Sequence, residues 1–222
     1  AASLIFRLGC LTGLDRLRWW LASCLRDFPW RHTDDPFQIL VAEMLLQRTR
    51  ADAVSIVWPS ITRRWPDAVS LSSASDTELS AATASLGLAW RSRNLKLMAT
   101  TLVDDHDGRV PEDEESLLAL PGVGPYAAAA TRVMAFDVHE LVSDANVVRV
   151  FSRLLGLDVD SETRRRQWFV DRIRRFRPVR ESRRSNLALL DFAAVVCTVR
   201  QPRCHDCPLR SRCQFGALKG RT

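Results

Sequence analysis

Apolar residues recur along the chain at three- and four-residue intervals, and no stretch alternates cleanly between apolar and polar. The pattern predicts helices throughout, hence an all-α fold. Near the start, "LTGLDRLRWWLASCLRDF" sets Leu14, Leu17, Leu21 and Leu25 on one face and ends before Pro29. "PFQILVAEMLLQRTRADAVSIVW" follows, opened by Pro36 in a first helical turn. The S-D-T-E run from Ser75 to Glu78 predicts a capping box, and Gly87 predicts the stop of that helix. "RSRNLKLMATTLVDD" is amphipathic and should halt at Asp107-Gly108. Short helices flank a break at Pro121–Pro125, and another runs from Ala145 to Leu155. Two more span Ser161 to Phe176, rich in arginine, and Ser185 to Cys197. After Cys197 the helical pattern ends and cysteines take over. No internal repeat and no low-complexity linker interrupts the chain.

Composition narrows the class. A chain of 222 residues with 46% hydrophobic content can bury a core as one large domain or two small lobes, and nothing suggests disorder. The net charge of +6 fits an anionic partner. Lysine occurs only at Lys96 and Lys219, so arginine carries the charge. Arginine forks onto phosphate, but a GC-rich genome gives the same bias, so charge alone does not establish nucleic acid. The apolar N-terminal "AASLIFRLGCL" is broken by Arg7 and reads as packing, not a signal peptide. No apolar run approaches the roughly eighteen residues of a membrane span. An unexported protein keeps its thiols reduced, which disfavours disulfides among the six cysteines.

Candidate chemistry concentrates in three places. In "LPGVGPY", Gly122 and Gly124 permit a tight hairpin by reaching positive φ, and Pro125 suits the first turn of the following helix. The turn would leave backbone N–H groups at a helix start facing outward, which is a site for a phosphate; an ordinary αα turn is the plainer alternative. Asp144 stands just before the Ala145 helix. It reads as an N-cap, a role compatible with stabilising a cation formed beside it. Cys197, Cys204, Cys207 and Cys213 follow a C-x6-C-x2-C-x5-C spacing that points to a metal site. Zinc is the rival occupant, although only Cys204 and Cys207 form the close pair that zinc sites usually repeat. Cys10 and Cys24 lie far off in sequence and read as buried small hydrophobes.

Together, the glycine hairpin, the aspartate twenty residues after Gly124 and the cysteine spacing resemble the endonuclease III superfamily of helix-hairpin-helix DNA glycosylases, over about Phe28 to Cys213. The resemblance implies a two-lobed fold, with a six-helix barrel over residues 28–139 and a second lobe formed by 1–27 with 140–222. It implies a [4Fe-4S] cluster on the four cysteines of the 197–213 loop and allows a monovalent cation at the hairpin. Double-stranded DNA with a mismatch is the implied partner, gripped by Gly122, Val123 and Gly124. The protein would be a cytoplasmic, nucleoid-associated monomer with no membrane contact. Asp144 would stabilise the oxocarbenium-like transition state of base removal, and Glu43, buried in "ILVAEMLL", would act in the base pocket. Gln47 and Arg48 stand where the family inserts side chains beside a flipped base, and Arg48 could also read guanine.

Bifunctional members of the family carry a lysine nucleophile two residues after the second hairpin glycine. Here that position is Tyr126, the only tyrosine, which cannot form an imine, so the resemblance implies base removal without strand cleavage. Among monofunctional members, Tyr126, "PWRHT" and "SDAN" resemble the Mig-type thymine glycosylases. MutY-type adenine glycosylases have a glutamine where Leu187 stands, and a bulkier residue or different polar run near Ala51. The chain also ends soon after the cysteines, without the extra MutY domain. A thymine or uracil glycosylase acting opposite guanine is therefore expected. A truncated adenine glycosylase is the alternative, and a non-catalytic iron–sulfur DNA-binding protein is the alternative of another class.

Overall fold

The computed structural model describes residues 26–160, 162–163, 166–174 and 182–219, and all regular structure among them is helical. One compact unit, Asp27–Val138, holds α1 (Pro36–Leu46), α2 (Ala51–Arg64), α3 (Ala68–Ser72), α4 (Asp76–Thr83), α5 (Trp90–His106), α6 (Glu114–Ala119) and α7 (Pro125–Phe136). The other unit, Ala1–Arg26 with His139–Thr222, holds α8 (Ala145–Leu155), α9 (Gln167–Arg174), α10 (Ser182–Val195) and α11 (Gln214–Lys219). The helix expected around Leu14 to Leu25 lies outside the described residues, as do Cys10 and Cys24.

In the first unit, α1 packs against α2, α5 and α7, while α3 and α4 pack on α5. Phe37, Ile39, Leu40, Val41, Ala42, Met44 and Leu45 of α1 are all buried. A helix apolar on every side belongs inside a core, and each fully buried leucine or methionine there contributes about 1.5–3 kcal/mol. Leu95, Met98 and Leu102 of α5 meet it in the same cluster. In the second unit, α8 packs against α10 and α11. Val147, Val150 and Phe151 join Phe169, Ile173, Ala188 and Phe192 in that unit's core.

Local signals account for most boundaries. Ser75 caps α4 reciprocally: Glu78 N–H donates to Ser75 Oγ (3.2 Å) and Ser75 N–H donates to Glu78 Oε2 (3.1 Å). Gly87 ends the following 3-10 turn at φ 68°. α5 stops where Asp107 and Gly108 turn left-handed, at φ 52° and 75°. α8 covers the expected Ala145–Leu155 and ends on left-handed Gly156.

Four features depart from the sequence pattern. The single stretch from Pro36 is two helices, because residues 47–50 break it around Arg48 at φ 55°. α10 begins at Ser182 and ends at Val195, shifted two to three residues toward the N-terminus of its expected range. α11 follows the last cysteine, where no helix is expected. The arginine-rich helix begins at Gln167, not near Ser161, because Thr163 N–H donates to Asp160 O (3.3 Å) in a turn, and its expected end at Phe176 lies outside the described residues. Among the described residues, no helix is long and apolar enough to cross a membrane.

Candidate functional site

Asp35 starts α1 by accepting the amides of Phe37 (2.8 Å) and Gln38 (3.3 Å), with Pro36 in the first turn. Two turns on, the same helix carries Glu43 into the apolar interior, where it is 7% exposed. Its Oε2 is buried without a hydrogen-bond partner. Burial pushes the carboxyl from 4.5 up to about 7, and the positive charge of Arg31 opposes the rise. Near neutral pH, Glu43 therefore exists in both protonation states and can accept or donate a proton.

α1 ends at a tight loop in which two of the expected DNA contacts sit. Gln47 is half-buried, and its Nε2 donates to the carbonyl of Gly122 (2.9 Å), tying the loop to the hairpin. Arg48 is exposed at its left-handed backbone position. Ala51, half-buried, opens α2 and packs against the core. Behind this loop lies Arg91, 0% exposed, in the first turn of α5. Its Nη2 donates to Gln47 O (2.9 Å) and to the Thr49 hydroxyl, and its Nη1 to Leu86 O (3.1 Å) and Gly87 O (2.7 Å).

The hairpin between α6 and α7 needs one of its two glycines for conformation. Gly122 adopts φ 81° and is so closely packed that a Cβ would meet Asn94 Nδ2 at 2.7 Å and Met44 Cε at 2.9 Å. Gly124, expected at positive φ, instead sits at φ −97° as the cap of α7, a conformation open to any residue. Pro125 takes the first turn as expected. The Val123 side chain is buried and its N–H donates to Leu120 O (3.0 Å), so the turn itself uses that amide. Among the described residues, the amides of Gly122 and Gly124 have no backbone carbonyl partner. Tyr126, half-buried, follows in α7, which packs on the Glu43 helix.

In the second unit, Asp144 caps α8. Its Oδ1 accepts the amides of Asn146 and Val147 (both 2.8 Å), and its Oδ2 accepts Asn146 Nδ2 (2.5 Å). Arg149 continues the network, donating to Asn146 Oδ1 (3.0 Å), Ala193 O (2.9 Å) and Cys197 O (2.8 Å). Buried Asn186 fixes the approach to Asp144, accepting Val142 N–H (2.8 Å) and donating to Glu140 O (2.9 Å). Leu187, next to it on α10, is half-buried. Ala51 and Leu187 belong to different units.

The four cysteines line one cavity with Val150, Leu154 and Phe192. Arg153 holds the loop by donating to Thr198 O (2.6 Å) and Val199 O (2.8 Å), with its Nη1 3.5 Å from Cys197 Sγ. Burial pushes the Cys207 thiol up to about 11, and also raises Cys213, so without a bound cation these sulfurs stay protonated. Among the described residues, no three His, Cys, Asp or Glu side chains converge closely enough to hold one ion.

Arg91, Arg149 and Asn186 are the residues that the sequence pattern passes over, and only tertiary contacts reveal that all three grip backbone carbonyls.

Residues 41–173 match the HhH-GPD superfamily of base excision DNA repair proteins, and the chain belongs to that superfamily. Within it, the chain is 34% identical over 191 residues, 86% of each chain, to a thymine/uracil-DNA glycosylase of Methanothermobacter thermautotrophicus. It is 38% identical over 192 residues, 86% of this chain and 63% of the relative, to an adenine DNA glycosylase of Mycobacterium tuberculosis. A solved thermostable thymine-DNA glycosylase superposes with a TM-score of 0.87 at 31% identity, covering 92% of this chain and 95% of that one.

Proposed function

We propose that this protein hydrolyses the N-glycosidic bond of thymine, and of uracil, mispaired with guanine in DNA, and leaves an abasic site. The similarity to a thymine/uracil-DNA glycosylase along 86% of both chains carries the reading. Base removal requires the target nucleotide to leave the stack. The hairpin amides of Gly122 and Gly124, at the start of α7, suit a phosphate irrespective of sequence. Gln47 and Arg48 would attend the vacated position.

In the reaction, the C1′–N1 bond breaks and its electron pair leaves with the thymine ring. Water then bonds to C1′, and the proton it releases ends on the departed base. Asp144 would stabilise the positive charge that develops at the sugar. Its two oxygens are already fixed by Asn146 and Val147, so little reorganisation is needed. Glu43, poised near neutral pH, would orient the base or water. Tyr126 offers no amine, so no Schiff base should form.

Cys197, Cys204, Cys207 and Cys213 would hold a [4Fe-4S] cluster. A single zinc ion requires four sulfurs about 2.3 Å from one point, whereas a cluster gives each cysteine its own iron. The one cavity that all four cysteines line supports the cluster. Its contribution would be to order the arginine-rich loop, with no part in bond breaking.

Adenine glycosylase activity is the second reading, favoured by the 38% identity to the mycobacterial relative. Leu187 offers adenine no amide, and each polar group left unpaired should cost about 1–3 kcal/mol, roughly tenfold to over a hundredfold in rate. Single-turnover excision on T:G, U:G, A:G and T:A duplexes decides. Thymine and uracil opposite guanine should be removed fast, A:G slowly and T:A not at all, with strand breaks appearing only after alkali and no borohydride-trapped adduct. Faster loss of adenine than thymine would establish the second reading instead.

A further inference from the structure

Arg91 is a costly residue in its place. It is fully buried, and it stands in the first turn of α5, where the helix dipole opposes a cation. Its charge is met by three backbone carbonyls and one hydroxyl, while its Nε has no partner. Packing alone would be served by an apolar side chain of similar length.

What its fork joins explains the cost. One guanidinium nitrogen grips the 47–49 loop and the other the 86–87 loop. Beside each grip stands a non-glycine residue in the left-handed region, Arg48 at φ 55° and Leu88 at φ 62°. Such backbones persist only where their surroundings over-determine them. Both of these residues also leave their side chains exposed. The connection extends further: Gln47, whose carbonyl Arg91 holds, donates its own amide to Gly122 O. Asn94, one turn along α5, closes against that same glycine.

From this geometry, and resting on the glycosylase reading above, we infer that Arg91 is a positioning residue for base flipping. It locks the 47–49 and 86–88 loops to each other and to the hairpin, so that Arg48 and Leu88 meet the duplex together. Extrusion of the target nucleotide then depends on Arg91, whereas the grip on the phosphates does not.

The test uses the full-length protein with Arg91→Met, Arg91→Lys and Thr49→Val. Lysine keeps the charge but cannot fork across two loops. Thr49→Val removes one acceptor and covers the case in which an Arg91 variant does not fold. Three quantities are read: affinity and salt dependence on undamaged duplex, fluorescence of 2-aminopurine placed beside the mismatched thymine, and single-turnover excision from T:G. Both Arg91 variants should lose the fluorescence rise and excision by at least about tenfold, the scale of losing hydrogen bonds to a charged group. Thr49→Val should lose both several-fold, and duplex affinity should stay within about threefold of wild type, because phosphate contacts dominate it. Unchanged flipping and excision in Arg91→Lys or Thr49→Val would overturn the proposal alone, as would duplex affinity falling in step with excision. A wild type that neither flips nor excises would overturn the functional reading as well.

Discussion

Glu43→Gln isolates the cost of the buried carboxyl. The carboxyl sits at 4.5 in an unfolded chain and at about 7 in the folded one, chiefly through burial. At about 1.4 kcal/mol per pH unit, that difference corresponds to roughly 3 kcal/mol. The sign follows from which state holds the proton more tightly. Below pH 4.5 both states are protonated and nothing is lost. Between 4.5 and about 7 the unfolded chain ionises while the folded one resists, so stability falls as pH rises, and the loss is complete above about 7. Glutamine has nearly the same shape and does not ionise. Urea unfolding of both proteins from pH 5 to 8 should show wild type losing ground to Glu43→Gln by up to about 3 kcal/mol, levelling off above pH 7.5. The 13C resonance of the Glu43 carboxyl should titrate over the same window. A stability difference independent of pH, or a carboxyl titrating near 4.5, would refute the argument and mean that Oε2 finds a partner in solution.

Asp144→Asn should retain DNA binding and lose most excision, since a neutral amide cannot offset the developing sugar charge; undiminished turnover would reduce Asp144 to a helix cap. Purified protein should be yellow-brown with about four iron and four sulfide per chain, and colourless protein holding one zinc would refute the cluster. Gly122→Ala should destabilise the fold by about 1–3 kcal/mol and weaken duplex binding, because the new Cβ meets Asn94 and Met44 inside 3 Å at φ 81°. Gly124→Ala, with open space around its Cβ and φ −97°, should cost much less, and equal losses at the two positions would contradict the hairpin geometry.

Where a boundary is written in neighbouring residues, the chain announces it. The Ser75 and Glu78 pair, the Asp107-Gly108 stop and Asp144 before α8 each act within a few residues, so their outcome can be read locally. The break after Leu46 is different. "QRTR" contains no glycine, proline or asparagine, and a left-handed arginine is sterically unfavourable on its own. A guanidinium more than forty positions away holds this loop, a contact that no local pattern encodes. The hairpin falls between these cases. Its turn is legible from Pro121 to Pro125, but that Gly122 carries the conformation and Gly124 does not depends on Asn94 and Met44 pressing against the first. Asn186 shows the same limit. The run "SNLALLDFAAV" marks α10, yet only the fold shows its asparagine holding Val142 and Glu140 just ahead of Asp144.

Two kinds of charge act in this molecule, and they obey different rules. The net charge of +6 rests on arginine, and the attraction of exposed arginines for DNA is sequence-blind and screened within about 8 Å at physiological salt. Glu43 and Arg91 are buried, so their interactions are short-range, strong and little affected by salt. Surface charge can therefore bring the duplex to the protein without deciding which base is removed. Selection has to come from groups whose geometry is fixed before DNA arrives. Glu43 on a core helix, Asp144 held by two backbone amides and the loops forked by Arg91 meet that condition. A buried carboxyl with an unpaired oxygen, as at Glu43, and a buried cation, as at Arg91, would each weaken an ordinary core. On the proposed function they are tolerable because each would serve a step that bulk water would otherwise have to stabilise, and water cannot be oriented in advance.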